Sequence, residues 1–188
     1  MSKQQKVKIA IPKGYKPSER VAIANEIVKH IRKRTKAGGG IVRDGDNVRN
    51  KKLKAYSPMY KKSLDYKNAG KKGKPVNLTL SGDMLAALDM LRHKKGEVVV
   101  GYEGGTDEND IAEGNILGAY GGSPNKKNAR DFLGITPKAL KDILKRFPLA
   151  KPSRVSSQVE KTEASKEIAE EKVKSFFDEQ DDVYLGED

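Results

Sequence analysis

Apolar residues are too few in this chain to fill an ordinary core from end to end. Leu, Ile, Val and Phe make up 41 of 188 residues, while 34% of the chain is charged and Trp is absent. That share, about 22%, sits just above the ~20% at which a highly charged chain stays disordered. A core must therefore be concentrated in part of the sequence or completed by another subunit. At roughly 100–200 residues per domain, the length fits one domain with appendages.

Charge marks the division. Residues 151–188 carry 6 Lys/Arg and 11 Asp/Glu, net −5, which leaves 32 against 15, net +17, on residues 1–150. The boundary falls at Pro148-Leu149-Ala150-Lys151-Pro152, where two prolines oppose a continuing helix. Residues 1–147 read as the folded body and 148–188 as a linker and acidic arm. Within the arm, Ala164, Ile168, Val173 and Phe177 fall roughly on one face and predict a helix over 160–177. Its stripe is thin, so it is marginal alone and suited to docking on a neighbour.

The body reads as α+β: a small antiparallel sheet packed with helices, long flexible loops and the extended C-terminal tail. Val7, Ile9 and Ile11 alternate with charged residues, the period of a half-buried strand. Pro17 to Lys36 predicts the strongest helix, with Val21, Ala24, Ile27, Val28 and Ile31 on one stripe and Gly38-Gly39-Gly40 as its stop. Residues 38–55 are glycine-rich and charged and read as a mobile loop. Ser57-Pro58 opens a short helix to Leu64, and Gly70 to Pro75 is a basic connector. Ser81 is the expected N-cap of a helix that buries Met84, Leu85, Leu88 and Leu91 and stops at Gly96. Val98-Val99-Val100 predicts a strand, Glu108 to Tyr120 a helix with Ile111, Ile116 and Leu117 inward, and Thr136-Pro137 the capped start of a last helix to about Phe147.

Composition excludes several chemistries. With no Cys there is no disulfide scaffold, thiolate zinc site or cysteine nucleophile. No apolar run approaches the ~20 residues of a membrane span. The start, Met1-Ser2-Lys3-Gln4-Gln5, has no apolar segment behind its charges, so a secretory signal is not expected and synthesis in the cytosol is. The two His, His30 and His93, lie in Lys/Arg-rich stretches that read as helical, without an evident partner. Asp83, Asp89, Asp107, Glu108, Asp110 and Glu113 are ordinary first-turn acids. No enzyme, metal or cofactor is expected.

Gly70-Lys71-Lys72-Gly73-Lys74 lacks the flanking strand and helix of a phosphate loop and reads as a solvated linker. The basic clusters carry more weight. Lys51, Lys52 and Lys54, with Lys71, Lys72 and Lys74, are candidate phosphate contacts, since neutralising a nucleic-acid backbone needs only surface cations. Lys94 and Lys95 form a further pair. A recognition helix and an aromatic stacking platform are both missing from the pattern.

From residue 53 onward a specific order of segments emerges. Leu53-Lys54-Ala55-Tyr56-Ser57-Pro58-Met59-Tyr60 is followed by Leu78-Thr79-Leu80-Ser81-Gly82-Asp83-Met84-Leu85 and then Val100-Gly101-Tyr102. Ala112-Glu113-Gly114-Asn115-Ile116-Leu117-Gly118-Ala119-Tyr120-Gly121 and Ala129-Arg130-Asp131-Phe132-Leu133-Gly134-Ile135-Thr136 complete the series. The series resembles the virion-morphogenesis, or tail-completion and neck, family of tailed bacteriophages over about residues 50–147, with Asp131 where that family often has Pro.

The resemblance implies a non-enzymatic α+β subunit of the virion neck, assembled in the host cytoplasm. It implies a homo-oligomeric ring of six or twelve copies around the DNA channel, acting as a neck, tail-completion or tail-terminator component. The implied partners are neck proteins on the portal and tail sides, with non-specific contact to channel DNA and no membrane. Candidate interface residues are Tyr56, Tyr60, Tyr120, Arg130, Phe132, Leu133, Ile168, Phe176 and Phe177. Phe132-Leu133 reads first as a core anchor and second as a subunit contact. From another class, the body's cations with an acidic shielding tail suggest a nucleic-acid-binding accessory protein.

Overall fold

The computed structural model describes residues 3–44, 47–68, 76, 78, 82–119 and 123–149. In chain order the elements are β1 (Lys6–Ala10), α1 (Pro17–Lys36), β2 (Gly39–Asp44), β3 (Asn47–Lys52), α2 (Pro58–Lys62), α3 (Leu64–Asn68), α4 (Asp83–Ala87), β4 (Asp89–Lys94), β5 (Glu97–Gly101), α5 (Asp107–Leu117) and α6 (Pro137–Leu144). The chain is α+β. The basic connector at 70–75 and the arm from residue 150 onward, including the helix expected over 160–177, lie outside the described residues.

Three antiparallel strands form the main sheet in the order β1–β5–β4. The central strand, β5, is apolar at three consecutive positions because it is covered on both faces, and Val98, Val99 and Val100 are all buried. Helix α1 packs across β4 and β5. Its buried stripe is Ile23, Ala24, Ile27, Val28, Ile31 and Thr35, with Val21 only at the margin. Pro17 occupies the first turn, and the Glu19 carboxylate accepts from the Lys16 backbone N–H at 2.7 Å, satisfying a donor the helix cannot.

His30 sits on the flank of that stripe with Nε2 buried and no hydrogen-bond partner among the described residues. Burial, and then Arg34 and Lys33, hold its pKa below the ordinary 6.5. A lowered pKa means the unfolded chain binds this proton more readily than the folded one. The stability that neutral His30 contributes is therefore complete above about pH 6.5 and is lost as pH falls through the folded value. Thermal unfolding should give a lower midpoint at pH 5 than at pH 7, and His30→Gln should narrow that gap. An unchanged gap in the variant would refute the assignment.

Three elements differ from the sequence expectation. Within residues 38–55, expected as a mobile loop, Gly39–Asp44 and Asn47–Lys52 pair antiparallel as β2 and β3, with Ile41 buried. The cause is tertiary: Ile41 N–H donates to Asp131 C=O at 2.8 Å, and Leu53 N–H donates to Gly38 C=O at 2.9 Å. Gly40 allows that approach, since a Cβ there would lie 2.6 Å from the Asp131 carbonyl oxygen.

The helix expected from Ser81 to Gly96 is only α4, and its N-cap position is held by Gly82, Ser81 being outside the described residues. Arg32 of α1 donates to the carbonyls of Ala86 and Leu88 at 2.7 and 2.6 Å, taking up the acceptors at the helix end. The chain then extends as β4, with an irregularity between Met90 and Arg92, so His93 lies in a strand rather than a helix. There its Nδ1 accepts from Arg20 Nε at 3.5 Å.

Helix α5 is capped by Thr106, whose hydroxyl accepts from Asn109 N–H, and Asp107, Glu108 and Asp110 occupy its first turn. Its buried face is Asn109, Ala112 and Asn115 instead of the expected Ile111 and Leu117, which are exposed, while Ile116 is half-buried. Polar burial is tolerated because each amide is used. Asn109 Oδ1 accepts from Gln5 N–H at 2.7 Å, and Asn115 Nδ2 donates to Ile111 C=O at 2.9 Å. Helix α6 starts as expected, with the Thr136 hydroxyl accepting from Ala139 N–H and Pro137 in the first turn.

Phe132 and Leu133 are buried in the core of the single subunit, Phe132 edge-on to Tyr102 at 6.5 Å. As candidate interface residues they are corrected to core anchors: no side-chain surface remains to meet a neighbour. The backbone around them is clamped by two arginines. Arg34 donates to the carbonyls of Gly134, at 2.9 Å, and Phe132, while Arg43 donates to Leu133 C=O and pairs with Asp131 at 3.0 Å. Burial lowers the Arg34 pKa to about 10.

Candidate interaction surface

The segment from Leu53 to Tyr66 winds into two short helices with a break at Ser63. Ser57 caps α2 by accepting from Tyr60 N–H, and the Ser63 hydroxyl donates to Tyr60 C=O at 2.7 Å while accepting from Tyr66 N–H at 3.2 Å. This winding gathers three tyrosines. Tyr56, Tyr60 and Tyr66 lie with ring centroids 5.2 to 5.7 Å apart, two of the three pairs edge-on, the geometry that ring quadrupoles favour.

Arg130 locks the cluster to α5. Its backbone N–H donates to Asn115 C=O at 2.8 Å, and its guanidinium donates to the carbonyls of Lys54 and Ala55 at 3.2 and 3.1 Å. The same cation lies 5.4 Å from the Tyr56 ring centroid. Lys54 closes the other side, its ammonium donating to Lys126 and Lys127 carbonyls at 3.0 and 2.8 Å. Gly118, in the left-handed region at φ 68°, ends α5 and allows Asn125 N–H to reach Leu117 C=O at 3.0 Å.

Between these parts lies a cavity of about 590 Å³, within the roughly 300–1,000 Å³ range of binding pockets. Tyr56, Tyr60, Met84 and Ile111 give it apolar walls, and Lys54, Lys127 and Arg130 give it cationic ones. A second groove of about 380 Å³ runs beside the hairpin, bordered by Arg43, Lys51, Lys52, Lys54 and Lys126. On α2 and α3, Met59 is 86% and Leu64 72% exposed.

The candidate residues therefore separate. Tyr56, Tyr60 and Arg130 meet at one site, with Tyr56 buried and Tyr60 and Arg130 half-buried. Lys51 and Lys52 are exposed on β3, and Lys54 borders both cavities. Tyr120, Ile168, Phe176 and Phe177, with Lys71, Lys72 and Lys74, lie outside the described residues. Sequence reasoning missed Lys126 and Lys127, which meet Lys54 some 70 residues back along the chain, and Arg43, whose partners Asp131 and Leu133 lie some 90 residues on. Lys126 and Lys127 are adjacent in the sequence, but nothing in their local pattern says which segment they meet.

Among the described residues, no group of three or more His, Asp or Glu side chains is placed to hold a metal ion, and no helix is long and apolar enough to cross a membrane. No protein-family model, no curated protein and no solved structure matches the chain.

Proposed function

We propose that this chain is a structural protein of a tailed-phage particle that assembles into a closed ring at the head–tail junction, in a neck, tail-completion or tail-terminator role. The reading rests first on the ordered segments between residues 53 and 136. The observation that supports it best is their mutual contact: Arg130 joins the 53–60 segment to α5 through Lys54, Ala55 and Asn115, Asn115 Nδ2 meets Met84 Sδ at 3.6 Å, and Tyr102 meets Phe132. Motifs that encode one subunit have to pack together, and these do.

Ring formation requires each copy to present two different surfaces, one fitting the other on the next copy. Exposed Met59 and Leu64, together with a cavity that has apolar walls, supply surface that gains from being covered. Light scattering on the purified chain tests this. A salt-resistant species of six or twelve copies is expected, and a monomer at every concentration overturns it.

A second reading, a basic nucleic-acid-binding protein, is favoured by one observation: Arg43, Lys51, Lys52, Lys54 and Lys126 border a single groove. Duplex affinity would then fall with added salt at about −0.9 log units per neutralised phosphate. Absence of binding at low salt removes it.

A further inference from the structure

We propose that the 590 Å³ cavity receives Ser175–Asp182 of a second copy of this chain, with Phe176 or Phe177 as the anchor and the following carboxylates against its cationic rim. The inference deepens the proposed ring by naming a contact between copies, and it rests on that self-assembly. The cavity asks for an occupant of two kinds at once. Its walls of Tyr60, Met84 and Ile111 suit an apolar side chain, and Ile111 is 48% exposed there despite its size. Lys127 and Arg130, on the same cavity, suit carboxylates.

One stretch of the sequence has both. Phe176-Phe177-Asp178-Glu179-Gln180-Asp181-Asp182 holds two of the chain's four Phe, and from Phe176 to Asp188 there are six carboxylates and no Lys or Arg. The remaining two, Phe132 and Phe147, are committed to the body's core. The charge of the arm, net −5, opposes a body of net +17. A duplex would satisfy the rim but leave the apolar walls unused, so the cavity favours the aromatic-acidic segment. Donation from one copy to the next is a heterologous contact, the kind that closes rings.

Because the chain has no Cys, single substitutions give unique cross-links. Full-length Asn128→Cys, on the cavity's exposed edge, is mixed with full-length Ser175→Cys under mild oxidation. A disulfide joining positions 128 and 175, identified by the mass of the linked peptides, should exceed both symmetric products. Phe176→Ala with Phe177→Ala in the donor chain should lower its yield by at least about tenfold, the effect of losing a buried aromatic. Lys127→Glu in the acceptor should lower it as well, with circular dichroism verifying its fold.

A 128–175 yield no greater than the symmetric products overturns the docking, as does one unmoved by the Phe substitutions. If Lys127→Glu weakens retention of duplex DNA and leaves the disulfide unchanged, the rim is a nucleic-acid surface and the docking falls. A ring in solution without the 128–175 bond removes the docking alone. A monomer at every concentration, also without the bond, removes both docking and ring.

Discussion

Phe132→Ala is expected to lower the free energy of unfolding by about 3–5 kcal/mol, the range for truncating a buried Phe. The upper part of that range applies because the site cannot collapse. The ring has no exposed surface and packs on Tyr102, and the backbone behind it is fixed by Arg34 at Phe132 and Gly134 and by Arg43 at Leu133. A clamped main chain leaves the cavity open instead of closing over it. Against the roughly 5–15 kcal/mol total of a small domain, this removes a large fraction of stability. Urea denaturation should record it as a lower midpoint with an unchanged slope. A loss below about 1 kcal/mol would mean that Phe132 is not a core anchor.

Gly118→Ala, at the buried C-terminal end of α5, is expected to do nearly as much damage by a different mechanism. At φ 68° an L side chain costs about 1–2 kcal/mol. The new Cβ would also strike the Asn125 carbonyl oxygen and lie 2.6 Å from Ala129 N, both of them backbone atoms with little room to yield. Overpacking of that kind adds about 1–3 kcal/mol. Gly105→Ala is the control: it shares the positive φ, at 82°, but nothing lies within 4 Å of its Cβ, so only the conformational part should appear. The loop that Gly118→Ala displaces carries Lys126, Lys127 and Arg130, so the proposed self-association should weaken more than in Gly105→Ala. Equal thermal midpoints for the two variants would contradict the packing around Gly118.

What the sequence made legible follows from how locally each element is determined. Helix α1 carries its own proline start, apolar stripe and glycine stop, and its expected bounds match the structure. Thr136-Pro137 and the triple valine of β5 are similarly self-contained. The hairpin β2–β3 was not legible because Ile41 is the only large apolar side chain buried among its described residues, and its order comes from Asp131, Arg43 and Leu53 pairing across the fold. Asp89–Lys94 follows α4 with spacing that fits a helix as well as a strand, and pairing with β5 decides the matter. The face that α5 buries was misread because Asn109 and Asn115 are polar, and their value lies in hydrogen bonds that periodicity does not record.

The candidate site was legible in part. Tyr56, Tyr60 and Arg130 were identified through the family resemblance and meet in space, whereas Phe132 and Leu133 belong to the core. An apolar residue in a closing segment looks the same in sequence whether it faces inward or toward a neighbour. The distinction appears only once Tyr102 is seen to cover Phe132.

The most direct test of the proposed function is electron microscopy of the purified full-length chain, with class averages taken along the axis of the assembled particles. A closed ring of six or twelve copies around a central opening is the expected result. Compact single subunits at every concentration, or open filaments without closure, would contradict it.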